Sequence, residues 1–269
     1  MQASCINTAH KRYNNMSIYI LANWKMNLSY DKAISLAEYI SSMPETLSGA
    51  IKVVLFPSVP YLFPVSGVIE EHPYIRTGAQ NIYWERSGSY TGEVSVDMLP
   101  MNCEYVLVGH SERRANFNDT EPNINRKIAT IIESGKKAVL CIGEEELNEN
   151  PNGFYDEMVQ KIGSAIAGIS GISSNNLMLA YEPVWAIGSG IAAEVSMVKE
   201  RNLIISHILE EISGIDQSPM NPYMVFYGGS VDHTNAADYV VEGKVSGLLV
   251  GSASLKAQDF KGVISSLIN

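Results

Sequence analysis

Short runs of apolar and β-branched residues recur along the chain at residues 17–22, 52–56, 74–77, 104–108, 137–142, 177–181, 223–227 and 246–250. Between them the apolar residues change period. Ala33, Leu36, Ala37 and Ile40, then Ile124, Ile128, Ile131 and Ile132, then Leu203, Ile204, Ile208 and Leu209 fall at the spacing of one helix face. Strand and helix therefore alternate. The runs are near-continuously apolar, which predicts strands covered on both faces and hence a parallel sheet. Eight such units in 269 residues predict an α/β fold, a single (β/α)8 barrel of eight parallel strands ringed by helices. An open doubly wound sheet is the competing architecture, but Asn23-Trp24-Lys25 follows the first run where that fold's Gly-x-Gly turn belongs.

No Pro/Gly/Ser-rich linker or composition break divides the chain, so residues 17–269 read as one domain. Residues 1–16 read as an N-terminal extension, disordered or upstream of an alternative start at Met16. His10, Lys11 and Arg12 give it a slight organelle-targeting character, but it lacks the apolar stretch of a secretory signal. Apolar residues at 46% and charged residues at 18% suffice for a large core. A net charge of -10 repels nucleic acid and anionic membranes, so an anionic substrate has to be captured by local positive groups. The apolar runs are far shorter than a bilayer span. Cys5, Cys103 and Cys141 are odd in number and widely spaced, which fits a reducing, cytoplasmic compartment better than a disulfide framework.

Candidate chemistry collects just after the strand runs, at Asn23 and Lys25, Gln80 and Asn81, His110, Ser111 and Glu112, Glu144, Glu182, Ser230, and Gly251 with Ser252. In a closed parallel barrel these ends share one rim, so the residues converge. Pro183 biases Glu182 toward an extended conformation at the end of its strand. Gly188, Ser189 and Gly190 then offer backbone N–H groups that an anion can approach closely. Glu182 reads as a general base beneath a closing loop in preference to a strand-end surface ion pair. His110 precedes a predicted helix start, where the imidazolium is disfavoured; an electrophilic catalyst and a satisfied structural histidine both fit. Lys25 is either the positive group a phosphate needs or a solvated surface lysine. Tyr227-Gly228-Gly229-Ser230 and Gly251-Ser252, each alone a tight turn, together read as an anion cradle from the last two loops.

Asn23-Trp24-Lys25-Met26-Asn27, Val108-Gly109-His110-Ser111-Glu112-Arg113-Arg114, Cys141-Ile142-Gly143-Glu144, the stretch from Ala180 through Pro183 and Trp185 to Gly190, Tyr227-Gly228-Gly229-Ser230 and Leu249-Val250-Gly251-Ser252-Ala253-Ser254-Leu255 together resemble the triosephosphate isomerase family. The resemblance runs from about residue 17 to the C-terminus. It implies a TIM barrel that interconverts dihydroxyacetone phosphate and D-glyceraldehyde 3-phosphate through an enediolate, with no metal and no organic cofactor. Glu182 would be the base, neutral His110 the electrophile, and Lys25 with Asn23 the stabilisers of the enediolate; this division of labour comes with the family and is not read from the residues. Backbone N–H groups of Gly188, Ser230, Gly251 and Ser252 would hold the phosphate, and residues 183–190 would close over it. Tyr227 and Ser230 would latch that loop, Glu112 would partner Lys25, and Ser111 would orient groups near His110.

The loop of residues 80–93 resembles the one that reaches a neighbouring subunit in this family, which implies a homodimer, with Thr91 near the partner's catalytic residues and Glu93 with Arg113 as a candidate interface pair. A loop exposing Ile82, Tyr83, Trp84 and Tyr90 would leave a monomer with an apolar patch. The chain departs from the family pattern at Ser252, where a second Gly is usual, at Ile191-Ala192, and in lacking the family's common Arg on the following helix. A different phosphate-binding barrel enzyme would not require Lys25, His110 and Glu182 together. A surface-displayed binding barrel that had lost catalysis would have lost at least one of them.

Overall fold

The computed structural model describes residues 17–47, 49–186, 192–213 and 223–268. Eight strands, β1 (Ile18–Asn23), β2 (Ile51–Phe56), β3 (Ile75–Ala79), β4 (Cys103–Val108), β5 (Lys137–Ile142), β6 (Leu177–Tyr181), β7 (Val225–Tyr227) and β8 (Gly247–Val250), close into a barrel in sequence order. Each pairs in parallel with the next, and β8 returns to β1 with Val250 opposite Ala22. The helices among the described residues are α1 (Tyr30–Ser41), α2 (Val59–Val68), α3 (Ser111–Phe117), α4 (Glu121–Glu133), α5 (Pro151–Ile166), α6 (Val195–Ser213), α7 (Ala236–Val241) and α8 (Ala257–Ser266).

Strand side chains alternate between two apolar layers because successive Cβ atoms point to opposite faces. Leu21 belongs to the barrel interior with Val54, Phe56, Leu107, Val139 and Phe226, while Ile20 and Ala22 pack in the layer shared with Ala33, Leu36 and Ile40 of α1. Burial on both faces is why the strand sequences run continuously apolar. The runs 137–142 and 177–181 coincide with β5 and β6, and the other strands differ from the apolar pattern by one or two residues at an end. The largest extension is at β3, which continues through Gly78 and Ala79. A Cβ on Gly78 would lie 2.2 Å from the Phe56 ring, so the strand admits that ring only because the position is Gly, a residue that propensity reads as a strand end. The α6 face also differs. Leu203 is 60% exposed, and the buried face is made by Val198, Arg201, Asn202, Ile205, Ile208 and Leu209.

The C-terminal rim of the barrel carries the buried polar residues Asn23, His110, Glu144 and Glu182. These are four of the strand-end positions collected from the sequence, and closure of the sheet puts them on one rim.

Candidate active site

Glu182 directly follows β6 and is 2% exposed. Its backbone N–H donates to the Ile142 carbonyl at 2.7 Å, and Gly228 N–H donates to the Tyr181 carbonyl at 2.8 Å, so β5 and the loop after β7 grip the residue from both sides. Gly143 lies against it so closely that a Cβ there would be 1.7 Å from the Glu182 carbonyl oxygen. The carboxylate itself is held at one oxygen only. Oε2 accepts the Ser111 N–H at 2.9 Å, whereas Oε1 makes no hydrogen bond and faces His110 Nε2 at 3.0 Å. A buried, unsatisfied carboxylate oxygen is costly to keep, and such an oxygen is available to take a proton. Beneath it, burial and then the Glu182 charge push the Cys141 thiol well above its ordinary value, so that sulfur stays protonated and inert.

His110 occupies the N-cap of α3, where Nδ1 accepts the Glu112 N–H at 3.3 Å. A ring nitrogen that accepts carries no proton, so this assignment puts the ring N–H on Nε2, 3.0 Å from Glu182 Oε1 but not aligned for a hydrogen bond to it. The helix start thus fixes the tautomer as well as the position.

Lys25 adopts a left-handed backbone, φ 51°, which a side chain with a Cβ takes up at a cost of about 1–2 kcal/mol. Three side chains hold it there. Asn23 Oδ1 accepts its N–H at 3.0 Å, and its carbonyl accepts Ser58 Oγ at 2.8 Å and Gln80 Nε2 at 2.9 Å. Gln80 also donates to the Phe56 carbonyl at 2.8 Å. The ammonium reaches Glu112 Oε1 at 2.7 Å, and a Cβ on Gly251 would be 3.9 Å from Nζ. The cation and the loop after β8 therefore adjoin.

Ser252 opens a 3₁₀ turn, Ser252–Leu255, without a positive φ, so its Cβ carries no backbone strain in place of the usual Gly. Ser230 Oγ donates to the Ala186 carbonyl at 3.0 Å, tying the loop after β7 to the 3₁₀ turn Val184–Ala186. Beyond it, Ala193 is gripped at both ends of its backbone: its N–H donates to Tyr227 Oη at 3.3 Å and its carbonyl accepts Tyr239 Oη at 2.7 Å. Pro183 is buried and Trp185 partly buried, the indole N–H having no hydrogen-bond partner among the described residues. Gly188, Ser189, Gly190 and Ile191 lie outside the described residues.

A sequence profile described as triosephosphate isomerase matches residues 18–267. The chain belongs to the triosephosphate isomerase family. Among its relatives is a protein named triosephosphate isomerase from Dehalococcoides mccartyi, 38% identical over 91% of this chain and 95% of the relative. Relatives of the same name from Alkaliphilus oremlandii, 36% identical over 91% of this chain and 98% of theirs, and Dictyoglomus turgidum, 35% identical over 92% and 98%, match over the same extent.

Set against the triosephosphate isomerase motifs, the structure adds contacts that the motifs do not show. Gln80 stands among the strand-end polar residues, but only the folded chain shows it pinning Lys25. Tyr239 on α7 and Arg201 on α6 carry no strand-end signal at all. Ser111 acts through its backbone N–H on Glu182. The loop after β3 is braced internally: Tyr83 stacks on Trp84 with centroids 4.0 Å apart, Arg126 covers Trp84 at 5.3 Å, and Arg86 holds Asp97 through two bonds of 2.8 and 2.6 Å. Ile82 is buried and Tyr83 and Trp84 are partly buried, so they do not form the exposed patch expected of them; Tyr90 remains 41% exposed. Thr91 and Glu93 are exposed, while Arg113 pairs with Asp119 at 3.3 Å.

Proposed function

We propose that this chain is an aldose–ketose isomerase that interconverts dihydroxyacetone phosphate and D-glyceraldehyde 3-phosphate, with side chains alone carrying the protons. Glu182 removes a proton from the carbon next to the carbonyl, and the electron pair moves onto the carbonyl oxygen to give an enediolate. The Nε2–H of His110 stabilises that oxygen as charge develops, and the Lys25 ammonium with Asn23 adds electrostatic stabilisation. Return of the proton from Glu182 to the neighbouring carbon, with a proton exchanged between the two oxygens through His110, completes the reaction. Ser230, Gly251 and Ser252, with Gly188, take the phosphate, and closure of residues 183–190 excludes the water that would favour loss of phosphate from the enediolate.

The observation that carries this reading is the buried Glu182 carboxylate with one unsatisfied oxygen, 3.0 Å from His110 Nε2. A coupled assay starting from D-glyceraldehyde 3-phosphate tests it. Native protein is expected to isomerise the substrate rapidly and Glu182→Gln to lose the activity while remaining folded; an active Glu182→Gln would remove Glu182 from its role.

We also infer a cytoplasmic homodimer formed through residues 80–93, with Thr91 reaching the partner's site and Glu93 and Arg113 at the interface. Exposed Met26 (95%), Tyr90 (41%), Met98 (56%) and Phe117 (64%), on or after the loops that follow β1, β3 and β4, supply apolar area that a free monomer would leave in water. Reduced, buried Cys103 and Cys141 suit that compartment. No helix among the described residues is long and apolar enough to cross a membrane.

A further inference from the structure

Arg201 lies on α6, away from every strand-end motif, yet it is 2% exposed. A guanidinium at that depth requires anionic and carbonyl partners. Its Nε is 3.5 Å from Glu144 Oε1, a terminal NH2 donates to the Asn148 carbonyl, and its Cζ lies 4.1 Å from the centre of the Phe154 ring. Glu144 is fully buried. Its Oε1 accepts the Tyr181 hydroxyl at 2.7 Å, its Oε2 accepts the Asn148 N–H at 3.0 Å, and its backbone carbonyl accepts the Val184 N–H at 3.0 Å. Tyr181 immediately precedes Glu182, and Val184 follows it by two positions. Both flanks of Glu182 therefore hang on Glu144, and Arg201 supplies its buried counter-charge.

We propose that Arg201 is a positioning residue for Glu182: by neutralising Glu144 inside the core it fixes the group that anchors the strand end before Glu182 and the 3₁₀ turn after it. The proposal rests on the reading of Glu182 as the base. Removing the guanidinium alone leaves Glu144 as an uncompensated buried charge, which is relieved by turning away from Tyr181. Removing both charges leaves a neutral side chain that still accepts the Tyr181 hydroxyl. The double substitution therefore separates charge balance from bulk packing.

The test measures kcat and KM for Arg201→Met, for Arg201→Met combined with Glu144→Gln, and for Tyr181→Phe, with Glu182→Gln as reference and circular dichroism with thermal melting to confirm folding. Arg201→Met is expected to lower kcat by roughly 10- to 100-fold, since misplacing a catalytic group by about 1 Å costs on the order of 10²-fold. KM is expected to change less than about threefold, because the lost interaction concerns the reacting group. The double variant is expected to regain about tenfold in kcat over Arg201→Met. Tyr181→Phe, which deletes one oxygen, is expected to lose about tenfold in kcat at constant KM. A folded Arg201→Met with native kcat overturns the proposal, as does a loss that the double variant fails to recover. If Arg201→Met does not fold, Tyr181→Phe decides, and native kcat there overturns the proposal. An active Glu182→Gln defeats the reading of the base itself; an inactive Glu182→Gln beside a fully active Arg201→Met defeats only the positioning role.

Discussion

Substituting Gly143 with Ala would place a methyl group 1.7 Å from the Glu182 carbonyl oxygen and 2.6 Å from its carbonyl carbon. To reach even a 3.0 Å contact, the two segments must part by at least about 1.3 Å. The strands cannot supply that movement. β5 and β6 are paired up to Ile142 and Tyr181, and each is locked between neighbours in a closed barrel. The give has to come just beyond the last pair, at residues 143–144 and 182–183, so the carboxylate of Glu182 is what moves. Displacement of a catalytic group by about 1 Å costs on the order of 10²-fold in rate, equivalent to about 2.7 kcal/mol of barrier. We expect Gly143→Ala to lose that factor in kcat, to change KM little, and to lose about 1–3 kcal/mol of stability from overpacking. The assay is initial-rate isomerisation of D-glyceraldehyde 3-phosphate over a range of substrate, on protein shown to be folded by circular dichroism. A folded variant with kcat within about threefold of native would show that the loop absorbs the methyl without moving the base, and the argument from close approach would be wrong.

Gln80→Met removes the donors to the carbonyls of Lys25 and Phe56, so Lys25 relaxes from its left-handed backbone; we expect about a tenfold fall in kcat/KM and about 2 kcal/mol lower stability. A loss of stability at unchanged kcat/KM would show that the Lys25 conformation does not matter to the reaction. At the opposite end of the barrel, burial raises the Glu104 carboxyl, but hydrogen bonds and charge from Lys137 and Arg76 outweigh it and leave the group below its ordinary value. A depressed folded value means that the stabilisation is present above the unfolded carboxyl pKa of about 4.3 and is lost as pH falls through the folded value. Denaturant unfolding of Glu104→Gln is therefore expected to show a deficit against native protein near neutral pH that narrows at acid pH; an equal deficit at both would refute the pairing as its source.

The barrel and its rim were legible in the sequence because their signals are local. Apolar runs mark strands buried on both faces, and a polar residue ending such a run marks the rim. Glu182, His110 and Lys25 were found that way. Where the signal depends on contacts distant in the chain, the sequence misled or was silent. Leu203 has the spacing of a core residue but faces out, because α6 turns Arg201 inward to meet Glu144. Ile82 looked exposed and is buried beneath the braced loop after β3. Tyr239 and Arg201 act on segments reached only when α6 and α7 pack on the barrel, and no motif of theirs precedes that packing. Gly188 and Ser189, named for the phosphate and the lid, fall outside the described residues.

Lys25 has a backbone conformation that its own stretch of chain would not choose. It is imposed by Ser58 and Gln80, 33 and 55 positions downstream, and its ammonium is aimed by Glu112, 87 positions downstream. The positive end of the site is therefore a product of the joining of β1 to β2, β3 and β4, and no fragment ending before Glu112 holds all the parts that set it. Forms in which β1 has not met β2, β3 and β4 would present a relaxed, solvated lysine in place of an aimed one. The cation is thus placed by the first half of the barrel, whereas Glu182 is gripped by β5 and by the loop after β7.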